Sequence, residues 1–234
     1  MNALHFDSLV WHWPIAIYLF LAGVSAGAMF FAVLLKHVCL KEQAYRSGFV
    51  QAACIVAAVS VLAGLGILVL DLTKPWDFWK ILVFYNPTSV MSMGVLILLI
   101  YQVFMYAWIA VVFRKPIEEW CQPRFPIVCK ITTMLAKYEA GITGLLIIFS
   151  VSLGAYTGFL LSAQPRFPML NNPVLPLLFL ASGLGLSAPL AMNLFMNATS
   201  KRKFSYVAGT ACLSLLGVIM LRNFVLYTGQ MVVS

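Results

Sequence analysis

Six apolar runs divide this chain, and its basic residues collect in every second gap between them. The runs are Trp13–Leu35, Phe49–Leu72, Val90–Phe113, Ala140–Ala163, Val174–Ala198 and Tyr206–Val233. Each supplies the ~20 residues of helix that cross a bilayer core. Lipid offers no hydrogen bonds to backbone groups, so runs of this kind fold as helices. Lys36, Lys41 and Arg46 follow the first run; Arg114, Lys115, Arg124, Lys130 and Lys137 follow the third; Lys201, Arg202 and Lys203 follow the fifth. Eleven of the fifteen basic residues therefore share one side. The other side holds Lys74, Lys80 and Arg166, and Arg222 lies inside the last run. The positive-inside rule makes the rich side cytoplasmic, and six spans then place both termini outside. The expected fold is an all-α, polytopic transmembrane helical bundle, a single domain over residues 1–234.

Charged residues make up 9% and hydrophobic ones 62%, too little charge to solvate a soluble globule. The net charge of +8 is explained by basic loops obeying the topology rule, so no nucleic-acid partner is expected. No Lys or Arg precedes Lys36, and the first run, at 23 residues, exceeds a signal h-region. It reads as a retained helix of a multi-pass protein, in the cytoplasmic (inner) membrane of a bacterium or archaeon.

The five cysteines form no CxxC and read as free thiols or small apolar residues. The three histidines, His5, His12 and His37, all fall at or beyond span ends. A membrane cytochrome b holds its haem between histidines on its helices. No haem is therefore expected here.

Polar and aromatic groups gather at the outer end of the bundle. The chain enters through Trp11-His12-Trp13-Pro14, with Tyr18 one turn further in. Asp71 closes the second run, and Trp76, Asp77 and Trp79 follow it. The fourth run ends Gly154-Ala-Tyr156-Thr157-Gly158 and the sixth contains Arg222-Asn223. An interfacial aromatic belt accounts for most of these rings. It does not account for Tyr156, about two turns inside a span. Nor does it account for Arg222, since intramembrane ionisable groups face a partner or a cavity. Asp71 is the nearest acid to Arg222 by depth. Glycine pairs such as Gly23/Gly27 and Gly154/Gly158 fit close helix packing. Pro176 and Pro189 in the fifth run suggest local bends. The stretch 114–139 reads as a cytoplasmic loop leading into an interfacial helix.

Several segments resemble the NrfD/PsrC family, the membrane subunits of polysulfide-reductase-like molybdopterin oxidoreductases. They are Trp13-Pro-Ile-Ala-Ile-Tyr-Leu-Phe-Leu-Ala-Gly23, Asn86-Pro-Thr-Ser89, Gly154-Ala-Tyr-Thr-Gly-Phe-Leu-Leu-Ser162, Leu177-Leu-Phe-Leu-Ala-Ser-Gly183 and Leu221-Arg-Asn-Phe-Val-Leu-Tyr-Thr-Gly-Gln230. The resemblance implies a haem-free subunit that binds a quinone, menaquinone or ubiquinone, at the outer face of its bundle. It implies two partners: an iron–sulfur, ferredoxin-like subunit and a molybdopterin catalytic subunit, which carry the iron–sulfur clusters and the molybdenum cofactor. The family's quinone-pocket tyrosine matches Tyr156. Its first-helix Asn and His fall on Ile15 and Tyr18, a departure that leaves Tyr18 or His12 as the second partner. Relatives often have eight or more spans against six here, as though a helix pair between the fifth and sixth were missing.

The expected site therefore comprises Tyr156, Tyr18, His12, Trp13, Gly158, Asp71 and Arg222. Tyr156 and Tyr18 or His12 would bond the two ring oxygens. Trp13 would wall the ring, the flanking glycines would leave room for it, and Asp71 would relay protons outward. Histidine suits proton acceptance near neutral pH. The connection 73–89, with Trp76 and Trp79, would dock the iron–sulfur partner, membrane lipid would surround the bundle, and a dimer of complexes is allowed. Two other classes fit parts of the pattern. A small secondary transporter predicts internal repeats and a midplane polar site. A purely structural anchor leaves Tyr156 and Arg222 without a role.

Overall fold

A computed structural model describes residues 13–40, 45, 47–71, 89–121, 126–163, 170, 172–185 and 204–231. His5, His12, the 73–88 part of the outer connection and Pro189 lie outside these residues. All regular structure among the described residues is helical. In chain order the helices are α1 (Trp13–Leu35), α2 (Gly48–Asp71), α3 (Val90–Val112), α4 (Arg114–Cys121), α5 (Pro126–Lys137), α6 (Glu139–Ser162), α7 (Leu175–Gly185) and α8 (Phe204–Met231).

Four stretches are long and apolar enough to cross a membrane: Pro14–Val38, Gly48–Leu70, Val90–Val112 and Glu139–Ser162. They coincide with the first four apolar runs. The fifth run is described only over α7, 11 residues or about 16 Å of helix. The sixth is one helix of 28 residues, α8. These helices make the chain a membrane protein.

α1 is the central element, packed against α2, α6, α7 and α8. Small residues let those neighbours in: Ala16, Ala22, Ser25, Ala26 and Ala32 are all buried. Helices in lipid gain little from hydrophobic burial and associate through close van der Waals contact. The surrounding helices show large apolar residues outward. Ile55, Val59 and Leu62 are exposed on α2, Met91, Leu99 and Val103 on α3, and Met220 and Phe224 on α8. In water such a belt would aggregate; in a bilayer it meets acyl chains.

Polar bonds pin both the interior and the end of α1. Ser25 Oγ and the buried Tyr101 hydroxyl of α3 share a hydrogen bond of 2.9 Å. α1 then ends in a π-helical turn, Lys36–Leu40. The wider turn carries Lys36 and His37 to α6, where Lys36 pairs with Glu139 and His37 Nε2 meets Thr143 Oγ1 at 3.0 Å. Thr143 Oγ1 also lies within hydrogen-bond distance of the Glu139 and Ala140 carbonyls of its own helix.

The stretch before α6 is helical, as expected, but does not continue smoothly into it. Tyr138 breaks the ladder at φ −99°, ψ 17°, separating α5 from α6. Pro176 does not bend a helix. It sits in the first turn of α7, where the missing N–H has no intrahelical acceptor in any case.

Candidate functional site

Connectivity fixes which residues share an end. α1 and α2 are joined through Lys36–Leu40, at the basic end, so Trp13 and Asp71 lie together at the opposite end. α6 starts at the basic end with Glu139, bound by Lys36, and reaches Tyr156 roughly 17 residues later, about 26 Å along the helix. α3 starts at the far end, which sets Gly94 level with Tyr156.

Tyr156 and Tyr18 come together there. Each residue is 7% exposed, and Leu161, on the helix that carries Tyr156, packs in one cluster with Tyr18. Tyr18 belongs to an apolar cluster with Leu161 of α6, Phe179 of α7 and Leu226 of α8. Its ring passes over Gly64 of α2, where a Cβ would stand 3.6 Å from Tyr18 Cδ2. The Tyr156 phenol lies in the space that a side chain on Gly94 of α3 would fill. Among the described residues neither hydroxyl has a hydrogen-bond partner. Neither oxygen is among the fully buried atoms that lack a partner, so the hydroxyl edges keep access from outside and are open to a ligand or water.

Arg222 of α8 reaches the same region and is 1% exposed. Its Nη1 donates to the carbonyl oxygen of Leu19, next to Tyr18. The guanidinium carbon stands 4.9 Å from the centre of the Phe179 ring, a cation–π contact. Nε and Nη2 have no partner among the described residues. The carboxylate partner expected for this charge is thus absent among them; the side chain of Asp71 lies outside them.

Gly158 serves packing. A Cβ there would stand 2.6 Å from Pro176 Cα, and one on Gly154 2.9 Å from Leu180 Cδ1. The space beside both glycines is taken by α7, not left for a ring. The glycine that makes room is Gly94, which the sequence reading missed. The backbones of Trp13 and Asp71 lie at one end of the bundle, but their side chains, like all of His12, lie outside the described residues.

A second polar group sits at the basic end. The Glu139 carboxylate accepts from Lys36 and Tyr45, with the Trp108 indole N–H at 3.4 Å. Beside it opens a cavity of about 940 Å³. Sequence reading places these charges in loops; their spacing gives no sign that they converge.

The family model "Polysulphide reductase, NrfD" matches residues 2–205. The chain belongs to the NrfD family. It is 45% identical over 195 residues to protein NrfD of Escherichia coli, covering 82% of this chain and 61% of that one. It is 39% identical over 208 residues to one chain of the polysulfide reductase of Wolinella succinogenes, covering 87% and 65%. A more distant relative is a subunit of the selenate reductase of Mesobacillus selenatarsenatis, 30% identical over 112 residues, covering 48% and 26%. The chain thus spans under two thirds of the length of these relatives. Tyr18, Gly94, Tyr156 and Gly158 fall within the family match; Arg222 falls beyond it.

Proposed function

We propose that this NrfD-family chain is the membrane-anchoring, quinone-binding subunit of a respiratory molybdopterin oxidoreductase. It exchanges electrons between the membrane quinone pool and an iron–sulfur subunit, which passes them to a molybdopterin subunit. Two relatives are named as parts of polysulfide and selenate reductases, which supports the multisubunit reading. The observation that carries the quinone site is the pair Tyr18–Tyr156: two buried phenols without partners among the described residues, on neighbouring helices, in apolar surroundings.

The residues fit a quinone head group. Such a ring needs polar contacts at its two oxygens and apolar walls elsewhere. Tyr156 would hold one oxygen and Tyr18 the other. Leu161 and Phe179 supply apolar wall and keep water out, while Arg222 biases the region toward negative charge. A bound quinol supplies two electrons and two protons. His12, which precedes the first span in sequence, and Asp71, at the end of α2, are suited to carry protons to the aqueous phase.

The basic end faces the cytoplasm in this reading, with six spans, both termini outside, and the inner membrane as the location. The phenol pair then opens toward the outer face.

Tyr156→Phe tests the site. It removes the hydroxyl and keeps the ring, so packing against Gly94 survives. One lost hydrogen bond weakens binding by roughly 0.5–1.5 kcal/mol. Quinol-driven reduction of the terminal substrate should slow in the purified complex. Reduction by a viologen, which bypasses this subunit, should be unchanged. Wild-type quinol turnover in the variant would leave Tyr156 a packing residue only.

A further inference from the structure

The cavity at the basic end lies roughly 26 Å from Tyr156 along α6, too far to belong to the phenol pair. It is lined by Lys36, Arg114 and Lys115 against one carboxylate, Glu139. Glu139 is taken up by Lys36, and Arg114 places its Nε on Glu118 at 2.6 Å. Lys115 is exposed and has no carboxylate partner among the described residues. The residues that line the cavity thus carry three cations against one carboxylate. Gln51 adds an amide, while Val111 and Phe113 supply an apolar wall. About 940 Å³ is the size of a site for a small organic ligand rather than a lone ion.

A second observation comes from α5, whose Ala136 lines the same cavity. Ile127, Ile131 and Met134 recur at helical spacing and are 52–70% exposed. Lys130 and Lys137 on the same helix are also exposed. A short helix with a bare apolar stripe and lysines lies along a membrane interface, its stripe among acyl chains. The cavity therefore opens at headgroup depth.

We propose that this cavity is a binding site for the phosphodiester headgroup of an anionic phospholipid from the leaflet at the basic end. Arg114 and Lys115 hold the phosphate, Gln51 bonds the polar head, and the acyl chains leave along the apolar wall toward the stripe of α5. Basic pockets between membrane helices on the positive side take anionic headgroups in this way.

The test uses the full chain purified in neutral detergent and titrated with phosphatidylglycerol or phosphatidylcholine, with bound lipid counted by native mass spectrometry. Phosphatidylglycerol should be retained at about one molecule per protein, and phosphatidylcholine should not. Arg114→Gln and Lys115→Gln should each weaken phosphatidylglycerol retention on the order of fivefold, the worth of one cation near an anionic surface. Lys115 is exposed, so its variant folds and reports even where the Arg114 variant does not. Equal retention of both lipids, or no effect of Lys115→Gln, overturns the proposal. So does displacement of the lipid by millimolar inorganic phosphate with the same dependence on Lys115, which would make this a free-anion site.

Discussion

The Arg222 guanidinium of α8 donates to the backbone carbonyl of Leu19 on α1. That carbonyl already accepts the Gly23 N–H of its own helix, four residues on. The second bond is possible because Gly23 has no Cβ: one there would collide with Arg222 Nη2. An arginine on the last helix and a glycine on the first thus fit as one joint.

Arg222→Leu should loosen that joint. Interhelical hydrogen bonds in membranes are worth about 1–2 kcal/mol in model peptides. The thermal midpoint of the purified protein should fall by several degrees. Arg222→Lys, which keeps a charge but not the planar fork, should recover only part of the loss. An unchanged midpoint for Arg222→Leu would leave the joint without structural weight.

Gly94→Ala should act on Tyr156 from another helix. The added methyl occupies the place of the phenol, so the ring must turn away. Quinol-linked turnover should drop at least as far as in Tyr156→Phe, with viologen-linked turnover retained. Full quinol activity would mean that the position of the phenol is immaterial.

Tyr18→Phe and Tyr156→Phe should not combine additively. Groups that hold one ligand share its binding energy, and loss of either changes what the other is worth. A double-mutant cycle on quinol-linked kcat/KM should show a coupling of about 0.5 kcal/mol or more. Strict additivity would separate the two phenols into unrelated roles.

Gly158→Ala should behave unlike either tyrosine variant. Its methyl meets the backbone of Leu175 and Pro176, which cannot swing aside. Yield of folded protein should fall, and quinol-linked and viologen-linked activities of the complex should fall with it in equal proportion. A selective loss with quinol alone would return Gly158 to the ligand site.

Orientation has its own test. A cysteine placed at Asn171 should react with a membrane-impermeant thiol reagent in intact cells, and one at Ser200 should not. The reverse pattern would put the phenol pair on the cytoplasmic side.

The long apolar runs made α1, α2, α3 and α6 legible to within a residue or two, because a 20-residue stretch with almost no charge has few other solutions. Tyr18, Tyr156 and Arg222 were legible as polar groups out of place in such runs. Their contacts were not. Depth along the sequence pointed Arg222 toward Asp71, whose side chain lies outside the described residues; the acceptor among the described residues is a backbone carbonyl, which carries no sequence signal. Pro176 read as a bend because an apolar run does not show where its helix begins. Glu139, Lys36 and Tyr45 converge from three segments, and only packing reveals it.

The meeting of Gly94 and Tyr156 has a consequence for how such sequences diverge. The shape of the phenol's seat is set by a side chain that α3 lacks. The two positions are far apart in sequence and share one volume. A homologue that gains bulk at the first should give up the tyrosine at the second, and one that keeps the tyrosine should keep the gap. Across an alignment the two columns should change together, a linkage that neither column shows when read by itself.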